Sequence, residues 1–387
     1  TLPIAAQPPV GPVQKKDAQV PIDARAIDKL IQPYLDAEVI NGLSIGVVQG
    51  DHDWTGNYGQ LSLDSEAVPD DRTIYEIGST TKVFTGILLA HTVETGKVSL
   101  DQSIGSLIPE LQAAGGKVAD SINLRHLSTH MSGLPRLPDN LAPANPTDPY
   151  ADYDRARLIA FLKGVKPARD PGVSGEYSNL AVGLLGELLA IRAEQDYGTL
   201  LERVIAGPLE MSDTSVKVDT DKMERLAPPH NANRDADSSW NFSAMAGAGA
   251  VRSTTADMMR FIRANLDPPQ GELGAAIDLA WKQHVAAKGK SFAMGLGWHI
   301  ARDGQTRWHN GQTGGYHSML MVNRQLDAGV IVLSNTATGE VDAIVESIIQ
   351  LIAGMDVKPR TFPKVPEIDA KVVARLAGRY QLVPGFV

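Results

Sequence analysis

Gly78-Ser79-Thr80-Thr81-Lys82-Val83-Phe84-Thr85-Gly86-Ile87-Leu88-Leu89-Ala90 is the stretch on which the fold and the chemistry both turn. Residues 79–93 read as one helix, closed by Gly96. Its apolar members Val83, Phe84, Ile87, Leu88 and Leu89 bury it. Ser79 and Lys82 lie three apart and share a face, so the amine can reach the hydroxyl. A serine hydroxyl is a poor nucleophile until a neighbour removes its proton. A lysine does this only where desolvation or nearby positive charge lowers its pKa. The first helical turn also aims free backbone N–H groups, and the positive end of the helix dipole, at developing oxyanion charge. Alone, Ser-x-x-Lys fits equally well a serine N-cap with a solvated lysine, so the context decides.

Outward from this helix, the chain is strand-bearing at both ends and helical between. Residues 23–39 form an amphipathic helix with Ile27, Leu30, Ile31 and Leu35 on one face and Pro33 as a kink point. A strand pair, 43–49 and 53–58, follows around Gly50 and Asp51. Helices are predicted at 124–129, 155–163, 180–193 and 255–264, with proline-bearing loops between. Strands return at 293–300, 306–308, 316–322 and 329–333, and a helix at 340–352 closes the unit. The pattern predicts an α/β (α+β) fold: one mainly antiparallel sheet built from both chain ends, flanked by the terminal helices, plus an inserted all-helical lobe. The catalytic unit spans 23–354, with a sheet lobe (23–78 and 290–354) and a helical lobe (79–289). No repeat is visible.

The 387 residues exceed what one compact core holds. Net charge is −9, from 36 basic and 45 acidic residues with no basic block, which argues against nucleic acid or an anionic membrane surface as partner. The absence of cysteine rules out disulfides, thiolate metal sites and cysteine nucleophiles. The longest apolar stretch, 180–191, is interrupted by Glu187 and predicts no membrane span. The Pro-, Ala- and Gln-rich residues 1–22 read as a processed or trimmed start with a flexible lead-in. A periplasmic or secreted location is expected, although a cysteine-free chain also suits the cytoplasm. Past residue 354, Pro359, Pro363 and Pro366 form a stiff linker, followed by a short helix at 370–376. Gly378-Arg-Tyr-Gln-Leu then reads as the opening of a truncated C-terminal module.

Two further elements bear on chemistry. In Tyr177-Ser178-Asn179, extended residues two apart point the same way. Tyr177 can then relay a proton between nucleophile and leaving group, while Asn179 orients Lys82 and a substrate amide; Asn179 is also well placed as the N-cap of the helix that follows. In His309-Asn310-Gly311-Gln312-Thr313-Gly314-Gly315-Tyr316 the glycines let a strand edge lie close to a ligand. A backbone N–H near Gln312 can pair with that of Ser79 as an oxyanion hole, and His309 adds a tunable polar group; a hairpin turn with a surface histidine fits the same residues. Gly42-Leu43-Ser44-Ile45-Gly46 matches a nucleophile elbow but lacks the strand before and helix after it. His126 and His130 have zinc-ligand spacing, yet Leu127 stands where a zinc peptidase needs glutamate. Of Trp240, Trp298 and Trp308, at least two are expected in the core.

Ser-x-x-Lys, Tyr-x-Asn and His-x-Gly, in this order, resemble the marks of the class C β-lactamase and penicillin-binding family. Ile77-Gly78-Ser79-Thr80-Thr81-Lys82, Leu124-Arg-His-Leu-Ser-Thr-His-Met-Ser-Gly-Leu-Pro135, Pro208-Leu-Glu-Met211, Val251-Arg-Ser-Thr254 and Leu333-Ser-Asn335 are similar as well, over residues 25–353. The resemblance implies Ser79 as nucleophile, with Lys82 and Tyr177 sharing base and acid work. It places Asn179, His309, Asn310, Gly311 and Gln312 at the substrate, and it implies no metal or cofactor. The substrate is then a small molecule or peptide, acylating Ser79 before hydrolysis. A departure stands at His309-Asn310-Gly311, where efficient β-lactamases of the class carry Lys-Thr-Gly. A neutral histidine supplies less charge than lysine, which leans towards the D-amino-acid peptidases and carboxylesterases among the relatives. A sensor that acylates without turning over is the alternative.

Overall fold

The computed structural model describes residues 23–108, 110, 117–287, 293–363 and 370–376. The lead-in 1–22, Pro366 and the strand expected from Gly378 lie outside the described residues. The strands are β1 (Gly42–Gln49), β2 (His52–Gly59), β3 (Tyr75–Glu76), β4 (Arg252–Ser253), β5 (Ala293–Met294), β6 (His299–Ile300), β7 (Thr306–Gln312), β8 (His317–Asn323) and β9 (Ala328–Ser334). Helices of ten residues or more, among the described residues, are α1 (Ala24–Asp36), α2 (Thr81–Glu94), α3 (Arg155–Gly164), α4 (Asn179–Ala193), α5 (Thr255–Leu266), α6 (Glu272–Trp281) and α7 (Asp342–Ile352). A short helix also covers Ala370–Leu376.

One antiparallel sheet runs in the order β2-β1-β9-β8-β7-β6-β5, with β3 and β4 forming a separate ribbon. β1 pairs with β9 from Leu43 opposite Ser334 to Gln49 opposite Ala328, so both chain ends meet inside the sheet. β1, β8 and β9 are buried along their whole length. Such strands read as nearly continuous apolar runs because both faces are covered. Alternate side chains sort into two cores. Leu43, Ile45, Val47, Met319, Met321, Val330 and Val332 face Ile27 and Ile31 of α1 and Ile344 and Ile348 of α7. Leu320, Val322, Ile331 and Leu333 face the helical side, with Phe84, Leu88, Phe261 and Ile262.

α2 runs through that second core, buried from Thr81 to Thr92. Phe84 stacks on Phe261 of α5 with ring centroids 4.2 Å apart. Each fully buried side chain of this size contributes roughly 1.5–3 kcal/mol, so α2 is firmly seated. At the other face, the Asp23 side chain caps α1 by accepting from the Ala26 N–H. Tyr34 completes its buried stripe, whereas the predicted Leu35 is only partly covered.

Two predicted strands differ, and one helix is unpredicted. The single strand expected over 293–300 is a tight hairpin, β5 to β6. Gly297 turns it with φ 73°, and a β-carbon there would stand 2.1 Å from the Lys82 carbonyl oxygen. The strand expected over 306–308 runs on to Gln312, which puts His309 inside the sheet rather than on a hairpin turn. α6 was not anticipated; it docks beside α2 through small and aliphatic residues, including Ala276, Ile277 and Ala280.

Candidate active site

Ser79 sits half-buried in a 3₁₀ turn, Gly78–Thr80, and α2 begins only at Thr81, two residues later than the sequence predicts. The tighter turn stacks residues three apart nearly in line. It is clamped from two sides. The Ile77 N–H donates to the Val251 carbonyl at 3.0 Å. The Ser318 hydroxyl on β8 lies 2.8 Å from that of Thr80 and donates to the Ile77 carbonyl at 2.8 Å.

The Lys82 amine donates to the Ser79 hydroxyl oxygen at 2.9 Å and to the Ala248 carbonyl at 2.6 Å. Lys82 is 0% exposed, and burial, with the Arg136 charge second, drives its pKa well below the ordinary lysine value. Ala248 belongs to the short helix Ala246–Gly249, which Thr85 also ties to α2 by a 2.7 Å bond to the Gly247 carbonyl.

Tyr177 lies beside Ser79, whose hydroxyl favours the ionised phenol. Its ring centroid stands 5.0 Å from the Lys82 amine. Burial pushes the phenol up to about 12, against the opposing pull of the Ser79 hydroxyl and the Arg136 charge. Ser178, not Asn179, caps α4, its hydroxyl accepting from the Ala181 N–H at 2.9 Å. That releases the Asn179 side chain, which lies near the Tyr150 hydroxyl; its Oδ1 is buried with no hydrogen-bond partner among the described residues. No hydrogen bond among the described residues joins Asn179 to Lys82; the Ala248 carbonyl holds the amine instead.

His309 is 1% exposed, so it is no surface histidine. Its Nδ1 lies 2.6 Å from the Asn310 carbonyl oxygen. Its ring stands 4.9 Å from that of His299 and 6.3 Å from that of Tyr177, while His130 packs 4.5 Å from Tyr177. Burial depresses all three histidines, His299 to about 3, so the floor behind Tyr177 is three neutral imidazoles.

Strand alternation turns Asn310 and Gln312 the other way. The Asn310 amide donates to Asp342 at 2.7 Å, and the Gln312 side chain meets His317, itself 2.7 Å from Asp342. Both side chains are thus engaged behind the sheet, leaving only their backbones for the cleft. There the backbones cross closely. A β-carbon on Gly311 would stand 2.7 Å from the Ser79 nitrogen, and one on Gly78 would stand 2.6 Å from the Gln312 nitrogen. Only glycine permits this approach.

Tyr150, Trp240 and Phe242 form an aromatic wall, with Tyr150 stacked on Phe242 at 4.8 Å and edge-on to Trp240 at 5.5 Å. Trp298 and Trp308 are core residues. The sequence marks neither Tyr150 nor His299 as part of the site. Ala248 contributes a backbone carbonyl, for which a side chain gives no signal.

The rival residues are otherwise engaged. Ser44 is buried against the Tyr75 hydroxyl at 3.0 Å and donates to the Asp70 carbonyl at 3.2 Å, with no base beside it. His126 Nδ1 accepts from the Asn123 N–H and His130 Nδ1 from the Ser178 N–H. Among the described residues no group of three or more His, Cys, Asp or Glu could hold a metal ion.

An antiparallel sheet flanked by helices, with a serine hydroxyl in contact with a buried amine at its edge, defines a serine hydrolase. The family model described as Beta-lactamase matches residues 27–354, and the chain belongs to that family. It is 27% identical to a Beta-lactamase of Pseudomonas fluorescens over 71% of this chain and 74% of that one. It is 29% identical to the D-alanyl-D-alanine-carboxypeptidase/endopeptidase AmpH of Escherichia coli K12 over 66% and 68% of the two chains. Among solved structures, a class C β-lactamase from Rhodobacter sphaeroides superposes with a TM-score of 0.74 at 22% identity, covering 85% of this chain and 99% of the other. A β-lactamase/D-alanine carboxypeptidase from Pseudomonas syringae gives 0.73 at 22%, with the same coverage. No described helix is long and apolar enough to cross a membrane.

Proposed function

We propose that the protein hydrolyses amide or ester bonds through an acyl-enzyme on Ser79. The observation that carries this is the 2.9 Å contact between the Ser79 hydroxyl and a fully buried Lys82 amine. A neutral lysine amine has two N–H bonds and one lone pair. With one N–H kept on the Ala248 carbonyl, rotation of the amine exchanges the N–H on Ser79 for the lone pair, which then accepts the Ser79 proton. As Ser79 Oγ bonds to the substrate carbonyl carbon, its proton passes to Lys82. The carbonyl oxygen, now negative, meets the Ser79 and Gln312 N–H groups at the Gly78–Gly311 crossing. Tyr177, which keeps its proton at neutral pH, protonates the departing group and recovers a proton from Lys82. Water then attacks the acyl ester, its proton returning by the same pair, and Ser79 is regenerated.

Asn179, which follows Tyr177 at the start of α4, is assigned to the amide of the acyl group. His309 contributes a neutral polar wall, and Gly311 and the Asn310 and Gln312 backbones line the edge. The β-lactamase and D-alanyl-D-alanine carboxypeptidase named among the relatives set the candidate substrates, a β-lactam or a D-amino-acid peptide, to which a short ester is added on chemical grounds. A neutral His309 favours the peptide or ester over fast β-lactam turnover.

The test is a panel on wild type and Ser79→Ala: a chromogenic cephalosporin, a short-chain p-nitrophenyl ester and a peptide ending in D-Ala-D-Ala. We expect peptide or ester turnover that Ser79→Ala abolishes, with slow β-lactam turnover and a β-lactam mass adduct on the peptide bearing Ser79. A stoichiometric burst without steady-state turnover would mark a sensor. Undiminished activity in Ser79→Ala would end the proposal.

A further inference from the structure

Beside the Tyr177 ring, Arg136 is fixed at its backbone and unengaged at its tip. Its carbonyl accepts from the Asn179 N–H at 3.0 Å and the Leu180 N–H at 3.2 Å, the first residues of α4. Its guanidinium lies exposed, 5.1 Å from the Tyr177 ring centroid, with no hydrogen bond or ion pair among the described residues. Two other arginines are engaged: Arg169 with Glu176 and Arg157 with Asp152.

We propose that Arg136 is the receptor for a carboxylate on the acyl side of the substrate. The inference rests on the acyl-transfer reading above and names the charge that such a substrate carries. A guanidinium laid on an aromatic ring keeps its N–H fork turned outward, in the geometry that grips a carboxylate with two hydrogen bonds. The third motif cannot do this, because His309 is buried and neutral. The acyl side follows from the neighbours. The Arg136 charge is felt at Tyr150 as well as Tyr177 and Lys82. Tyr150 in turn neighbours Asn179, the residue assigned above to the acyl amide.

Two matched ester pairs test this. Mono-p-nitrophenyl glutarate and its methyl ester differ by one carboxylate on the acyl side. Sodium 4-butyryloxybenzoate and its methyl ester differ by one on the leaving group. The readout is the acid-to-neutral ratio of kcat/KM in wild type, Arg136→Ala and Arg136→Lys. Removing Arg136 also lets the Lys82 pKa rise, but that effect is common to both members of a pair and cancels in the ratio.

We expect the glutarate ratio to fall about fivefold to tenfold in Arg136→Ala, the worth of a charge-assisted pair discounted for an exposed guanidinium. Arg136→Lys should recover part of it, and added salt should shrink the difference. A fall confined to the benzoate pair would overturn the acyl-side assignment. Unchanged ratios in both pairs would overturn the inference while leaving the acyl-transfer reading standing. Should no ester turn over through Ser79, the acyl-transfer reading is tested by the peptide instead. Calorimetric binding of monomethyl and dimethyl glutarate to Ser79→Ala, with and without Arg136, then decides: equal affinities overturn the proposal, and an Arg136-dependent preference for the acid supports it.

Discussion

Gly311 and Ser79 face each other so closely that a methyl group on Gly311 would lie 2.7 Å from the Ser79 nitrogen and 2.0 Å from the Ile77 carbonyl oxygen. Neither neighbour is a flexible side-chain tip. Gly311→Ala should therefore force β7 away from the 3₁₀ turn and open the crossing where the two N–H groups meet. Loss of one oxyanion donor lowers kcat about 10²–10³-fold, and a loss of that size is expected here. Steady-state kinetics at unchanged substrate would show it; a variant with wild-type kcat would remove the crossing from the mechanism.

Tyr177→Phe removes one hydroxyl and little volume. Turnover should fall about 10²–10⁴-fold, the usual contribution of a positioned acid or base. Stability should change by no more than about 1.5 kcal/mol, because one hydrogen bond is lost. Measuring kcat beside the urea midpoint separates the two effects, and a variant as active as wild type would take Tyr177 out of proton transfer.

Lys82 carries a charge when unfolded and sheds it when folded, since burial holds its pKa well below the usual value. Between the folded pKa and about 10.4, the unfolded chain binds one more proton than the folded one, so folding stability rises with pH across that window. Lys82→Met lacks this term. The stability of wild type relative to Lys82→Met should thus increase as pH rises from the folded pKa towards 10, by at most about 1.4 kcal/mol per pH unit. Denaturation of both proteins at several pH values measures it; parallel pH profiles would mean that the amine stays charged.

Glu346 on α7 has the opposite sign. Burial, aided by Asp342, raises its carboxyl to about 7. Between the unfolded value near 4.3 and about 7, the folded state holds the extra proton, so stability falls as pH rises through that window. Glu346→Gln mimics the protonated form. It should match wild type at pH 4 and exceed it by about 1 kcal/mol at pH 8, a figure reduced because the group is partly solvated. Equal midpoints at pH 8 would show that the carboxyl ionises freely.

Residues 77–82 were legible because their chemistry is local: spacing along the chain already sets Ser79 against Lys82. The two-ended sheet was legible for a similar reason, since runs such as Ala-Gly-Val-Ile-Val-Leu-Ser announce strands buried on both faces. What the sequence hid depends on contacts across the chain. The hydroxyl chain Thr80–Ser318 that tightens the turn joins residues 238 positions apart. The cap on α4 went to Ser178 because Pro135, in another loop, accepts from its hydroxyl. Asn310 looks like a ligand-binding residue in a glycine-rich motif, yet strand parity sends its amide to Asp342 on the far face. His299 is silent in sequence and becomes part of the floor only when β6 lies beside β7.

The turn that carries Ser79 is held by a hydroxyl on β8, through Ile77 and Thr80, while the Lys82 amine hangs from the Ala248 carbonyl in the helical insertion. The two halves of the reactive pair therefore answer to different parts of the chain. Any slippage of a few tenths of an ångström between insertion and sheet would misalign the lone pair before it disturbed either part. Chemical competence is the most sensitive gauge this molecule carries of whether its interior has closed in correct register.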